Sequence, residues 1–85
     1  DKGYAVRRLV RERRLESVIV VGDDTTDIAA FAALVELRRQ GDVQGAAVAV
    51  LHPDSPEQLL RSADYSLRGV PEVEVFLRWL SDAYR

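Results

Sequence analysis

No cysteine occurs among the 85 residues of this chain. Disulfides and thiolate metal sites are therefore excluded, and the composition fits a reducing, cytoplasmic setting. No apolar run approaches the ~20 residues of a membrane span, and the first residues lack the charged-then-apolar order of a signal peptide. The expectation is a soluble protein with no membrane partner. A formal charge of −2 offers no electrostatic ground for a nucleic-acid partner. Lysine is almost missing too: eleven of the twelve basic residues are arginine, and the exception is Lys2. One use for a lone lysine is a site that needs a compact, mobile ammonium where a planar guanidinium would not serve. Internal repeats, low-complexity tracts and linkers are absent, so the chain is at most one small domain with a modest core.

What is present alternates between two periodicities. Ala5, Val6, Leu9 and Val10 recur at helical spacing within residues 2–15, with Arg7, Arg8, Arg11 and Arg14 on the other side as a solvated face. Ser17 to Val21 is short, β-branched and apolar, the pattern of a strand covered on both faces. Thr25, Thr26 and Asp27 can cap a following helix in which Ile28, Phe31, Leu34, Val35 and Arg38 keep helical spacing, and Gly41 ends it. Ala46 to Leu51 reads as a second strand. Ser55-Pro56-Glu57-Gln58 predicts a capping box opening a short helix to about Ser62. Ala63 to Leu67 is a weaker third strand, and Gly69-Val70-Pro71 a turn. A closing helix carries Val73, Phe76, Leu77, Leu80 and Tyr84, with Trp79 and Tyr84 expected in core or rim packing.

Strands alternating with helices predict right-handed crossovers and a parallel sheet, hence an α/β fold. The chain enters directly into a helix with no preceding strand, and two good strands make a poor sheet. The expectation is part of a larger domain.

The segment "VIVVGDDTTDIAAF", residues 18–31, crowds Asp23, Asp24 and Asp27 where the first strand ends. Ligands of open α/β sheets bind beyond the carboxyl ends of the strands. Close carboxylates repel, and the repulsion is relieved by a cation, by a lysine, or by capping a helix. Magnesium suits such a rim, because it is hard and takes one or two carboxylates while keeping water and phosphate ligands. The alternative is that Asp24 and Asp27 cap the helix while Asp23 is a solvated loop acid. His52, in a loop with no second histidine, is not expected to be a ligand or a catalyst.

The string "GDDTTD" after an apolar strand resembles the fourth motif of the haloacid dehalogenase superfamily, and its threonine-aspartate ending is similar to the trehalose-6-phosphate phosphatase branch. "KGYAVRRL", residues 2–9, resembles the third motif, and residues 47–80 resemble the branch's closing strand, loop and helix. Ile28-Ala29-Ala30 departs from it, since the branch commonly carries further acids there. The resemblance implies a partial Rossmann-like, doubly wound parallel sheet, with residues 1–85 forming the C-terminal segment of a phosphatase core. It implies Mg2+ held by Asp23, with Asp24 a second acid. Asp27 would act through magnesium-bound water or orient Lys2, and Lys2 would contact substrate phosphate and nucleophile. The substrate implied for the complete protein is trehalose 6-phosphate.

The family's nucleophile lies in a D-x-D-x-[TV] motif, and no aspartate pair here has that spacing. The 85 residues alone are therefore expected to be inactive, and to self-associate through the sheet edge that the nucleophile strand would cover. A non-catalytic module is the alternative, either an interaction unit or a receiver-like domain, since "VIVVGDD" also resembles the acidic pair of a phospho-receiver. That reading offers Asp54 as a loose phosphoacceptor but no later lysine.

Overall fold

A computed structural model describes residues 1–84. Helix α1 spans Lys2–Arg13 and is capped by Asp1, whose carboxylate accepts the Tyr4 amide at 2.8 Å. It stops short of residue 15 because Arg14 turns left-handed, with φ 51°, and its amide closes onto the Val10 carbonyl. Strand β1, Ser17–Gly22, leads through a 3-10 turn at Thr25–Asp27 into α2, Ile28–Arg39. Gly41, with φ 76°, ends α2 as its position suggests. Its amide returns to the Arg38 carbonyl, and that of Asp42 to Leu37, so two otherwise orphaned carbonyls are satisfied.

The remaining elements are β2 (Gln44–Leu51), α3 (Glu57–Arg61), β3 (Tyr65–Arg68) and α4 (Gly69–Ala83). The three strands are parallel in the order β1-β2-β3, with Val20 opposite Ala47 and Val21 opposite Val48. The chain is thus mixed α/β with a small parallel sheet, as the alternating pattern predicts. One face of the sheet carries the core: Ala47, Ala49 and the flanking Val18 and Val20 pack under Phe31, Leu34 and Leu37 of α2, Val10 of α1 and Leu59 of α3. Helix α4 lies against β2 and β3 on the other face, where it covers Val48 but leaves Ile19 and Val21 of β1 exposed.

Several local expectations are corrected. Gly45, just outside the strand expected at Ala46 to Leu51, lies inside β2 opposite Val18, and a Cβ there would overlap the Val18 carbonyl oxygen. The glycine serves close strand approach rather than a turn. The Ser55 capping box does not form: Pro56 occupies the cap position of α3, while the Ser55 hydroxyl accepts the His52 amide at 2.8 Å and tightens the preceding loop. The expected turn at Gly69-Val70-Pro71 is the first turn of α4, because Gly69 reverses the chain directly out of β3 with φ 68°. Trp79 and Tyr84 are 61% and 78% exposed. Neither belongs to the core, and Trp79 packs only at the rim, stacked on Phe76 with ring centroids 6.2 Å apart.

At the amino end of the sheet, Arg38 clamps the fold. Its guanidinium donates to the Gly45 carbonyl at 2.9 Å and to the Asp64 carboxylate at 2.7 Å. Asp64 also accepts the Ala47 amide at 2.8 Å. Arg38 holds the Asp64 carboxyl below its usual range, and the Ala47 amide adds to this against a smaller effect of burial.

The core's asymmetry sets an expectation. Phe31→Ala, at a fully buried position, should lower unfolding free energy by about 3–5 kcal/mol, whereas Val75→Ala on exposed α4 should change it by no more than about 0.5 kcal/mol. Urea titration followed by circular dichroism compares them, and equal losses would contradict this account of the core.

Candidate functional site

The acidic turn is organised around one side chain. Asp27 is the buried charged residue of the described structure, 8% exposed, at the junction of the 3-10 turn and α2. Its Oδ2 accepts the amides of Asp23 at 2.9 Å and Asp24 at 3.0 Å. Its Oδ1 accepts a hydrogen bond from Lys2 Nζ at 2.7 Å, across 25 positions of sequence. The first turn of α1, the exit of β1 and the entry of α2 thereby meet at one carboxylate. Asp24 caps the turn, with its Oδ1 accepting the Thr25 amide at 2.6 Å.

Two glycines make this convergence possible. A Cβ on Gly22 would overlap the Asp27 side chain, with Oδ2 only 2.8 Å away. A Cβ on Gly3 would stand 2.7 Å from the Ala29 carbonyl oxygen, closer than real contacts allow. Gly22 thus lets Asp27 fold back onto the strand exit, and Gly3 lets α1 approach α2 closely enough for Lys2 to reach it. The lysine-glycine and glycine-aspartate pairs have steric reasons as well as chemical ones.

Lys2 is a cation in the first turn of a helix, where the macrodipole disfavours positive charge. Asp27 offsets this. The hydrogen bond to Asp27 raises the Lys2 pKa above its ordinary value against a smaller opposing effect of desolvation, and the carboxylates of Asp27, Asp24 and Asp23 add to it. For Asp27 itself burial is the largest influence and pushes the carboxyl up. The Lys2 hydrogen bond and the two amides together outweigh it and hold the group below the usual carboxylate range. Both groups are charged at neutral pH, and the lysine side chain remains 52% exposed with N–H donors to spare.

Asp23 is the free acid of the turn. Its side chain is 62% exposed, and its Oδ2 lies 3.8 Å from His52 Nε2. Among the described residues no group of three or more His, Asp or Glu side chains converges as a metal cage. The donor set still fits a hard cation held largely by water and phosphate, because Asp23 offers carboxylate oxygens at an open rim. Asp27 has both oxygens engaged, so its arrangement suits orienting Lys2.

Of the residues singled out in the sequence, Lys2, Asp23, Asp24 and Asp27 come together. Asp54 lies in the loop after β2, and β3 ends in Arg68 rather than a lysine. His52 was missed as a neighbour of the site. Parallel pairing brings the end of β2 beside that of β1, so the residue following β2 could have been placed at the same rim. Compared with known families, curated proteins and solved structures, the chain matches none. No described helix is long and apolar enough to cross a membrane.

Because Asp27 holds its proton more weakly folded than unfolded, its stabilising contribution is complete above the ordinary carboxylate pKa of about 3.9 and is lost as pH falls through the lower folded value. Asp64 behaves alike. The urea midpoint should therefore fall on acidification below about pH 4. Asp27→Asn should flatten part of that fall and Asp27→Asn with Asp64→Asn most of it; an unchanged profile in both variants would refute the assignment. Gly22→Ala should cost about 1–3 kcal/mol by overpacking.

Proposed function

We propose that the chain is the C-terminal part of a magnesium-dependent sugar-phosphate phosphatase of the haloacid dehalogenase type, acting on trehalose 6-phosphate. The observation that carries this reading is the contact of Lys2 with Asp27 at the carboxyl rim of β1, which unites the two stretches that resemble the family's third and fourth motifs. A parallel α/β sheet with the acids beyond a strand end is the setting such a site requires.

In this reading Asp27 is a positioning residue that holds the Lys2 ammonium toward the rim, where its remaining N–H donors meet phosphate oxygens. Asp23 supplies a carboxylate ligand to Mg2+, with Asp24 contributing as a second acid beside its capping role. Bound there, Mg2+ would offset negative charge on the transferring phosphoryl group. Lys2 does the same from the protein side, pre-oriented in the folded state and so without reorganisation during the reaction. The nucleophilic aspartate and the region that reads the sugar are supplied by residues outside these 85. The receiver-like alternative gains nothing from the geometry, since Lys2 approaches the acids from α1 rather than from a later strand.

The test is to read the coding sequence upstream of Asp1 and assay the encoded longer chain for Mg2+-dependent phosphate release from trehalose 6-phosphate. Release is expected, with Lys2→Ala and Asp23→Asn each lowering kcat by about 10²–10³. The 85-residue chain by itself should release none. An upstream sequence without a D-x-D-x-[TV] strand, or a longer chain inactive on sugar phosphates, would sink the proposal.

A further inference from the structure

We propose that the cleft between the C-terminal halves of α1 and α2 binds a small phosphate ester that bears hydroxyl groups, with Arg7, Arg11 and Arg14 holding its phosphoryl oxygens. It stands apart from the acidic rim and from the phosphatase reading.

The cleft has a volume of about 550 Å³, within the ordinary range of small-molecule sites. Arg7, Arg11 and Arg14 line it from α1, and Glu36 and Gln40 from α2, over the buried side chains of Val10 and Leu37. Glu16 and Asp42, in the loops that enter β1 and β2, close its end. It therefore lies at the amino ends of the strands, the length of β1 away from Asp23, or about 20 Å for six residues.

The arginines expected on a solvated face are not equivalent. Positions 7, 11 and 14 follow the i, i+4, i+7 spacing of a single helix stripe. None of the three lies within 4.0 Å of a described carboxylate, although Glu16, Glu36 and Asp42 line the same cleft. Arg8, which does not line it, pairs with Glu12 at 2.7 Å. The helix dipole favours cations in the last turn, where Arg11 and Arg13 lie. That preference does not extend to Arg7 in mid-helix.

Backbone strain at Arg14 is an independent observation on the same cleft. Arg14 ends α1 in the left-handed region, with φ 51° and ψ 46°. Glycine is preferred at such a helix end because a Cβ is disfavoured there. Among the described residues Arg14 is the non-glycine residue with positive φ. An arginine kept against the preference of its own backbone, and lining a cleft with two unpaired arginines, points to a use for its guanidinium.

Guanidinium groups match phosphate oxygens in bidentate fashion. The three carboxylates and the C-terminal ends of both helices repel a second anion, so the rest of the ligand must carry hydrogen-bond donors. Hydroxyls meet this requirement, with the Glu36 carboxylate and the Gln40 carbonyl as acceptors.

The 85-residue chain can be titrated with glucose 6-phosphate at low salt and followed by amide NMR. The amides of Arg14 to Glu16 and Gln40 to Asp42 should shift. Shifts near Asp23 report the rim separately, so this site and the phosphatase reading fail independently. Inorganic phosphate should bind about tenfold more weakly than the ester. Arg11→Gln should weaken the ester by about tenfold, the loss of one charge-assisted hydrogen bond, while Arg13→Gln, outside the cleft, should not. Arg14→Gly separates a ligand role from a structural one. It should raise the urea midpoint by relieving the left-handed backbone, yet weaken the ester by about tenfold. Absence of shifts at the cleft, equal affinity for inorganic phosphate, or unchanged binding by Arg14→Gly overturns the proposal. So does tighter binding of phosphoethanolamine, which would assign the carboxylates to an ammonium.

Discussion

The buried carboxylate of Asp27 is the constraint on which the rim depends. A charge this enclosed is tolerated only when its lone pairs are occupied. Here three donors occupy them: the Asp23 and Asp24 amides and the Lys2 ammonium. The two amides belong to the exit of β1 and the ammonium to the first turn of α1, so satisfying one carboxylate sets where α1 begins relative to the end of β1. The absence of side chains at Gly3 and Gly22 lets these pieces approach. Their juxtaposition leaves the Asp23 carboxylate largely exposed at the rim, beside His52.

Similar chemistry at the opposite end of the sheet has a different meaning. Arg38 and Asp64 also join a cation to a carboxylate that accepts a backbone amide. There the guanidinium reaches the Gly45 carbonyl as well, so both partners are spent on holding α2, β2 and the approach to β3 together. Lys2 is half exposed and retains unused donors, in a helix position its charge disfavours. Arg38 lies in the last turn of α2, where the helix dipole welcomes it. A charge placed against local preference is the better marker of a site than an ion pair as such.

The two faces of the sheet differ in the same way. Phe31, Leu34 and Leu59 are fully enclosed on one side, whereas α4 lies against β2 and β3 on the other with none of its own residues buried. The fold is thus anchored from α2 and leaves β1 open along its outer edge and half of one face. That openness coincides with the acidic rim, so whatever pairs with β1 also adjoins Asp23 and Asp24.

Much of this was legible in the residues. The branched run at Ser17–Val21, the helical spacing from Ile28 to Arg38 and the arginine-glycine end of α2 are dictated by short-range sterics and hydrogen bonding. Those forces act within a few positions, so the α/β order and the acids at a strand end could be read directly. Boundaries failed where a long-range contact overrode a local signal: Gly45 entered β2 because Val18 lies against it, and Ser55 turned back to His52 rather than capping α3. Trp79 and Tyr84, expected in core or rim packing, stay out of the core, because an amphipathic helix does not say whether anything lies opposite its apolar face. The sequence by itself determined the elements, their parallel order and the identity of the charged groups. Only the tertiary structure decided that Lys2 and Asp27 touch and that His52 stands beside Asp23, because contacts between distant segments depend on how whole elements pack, which no local pattern encodes.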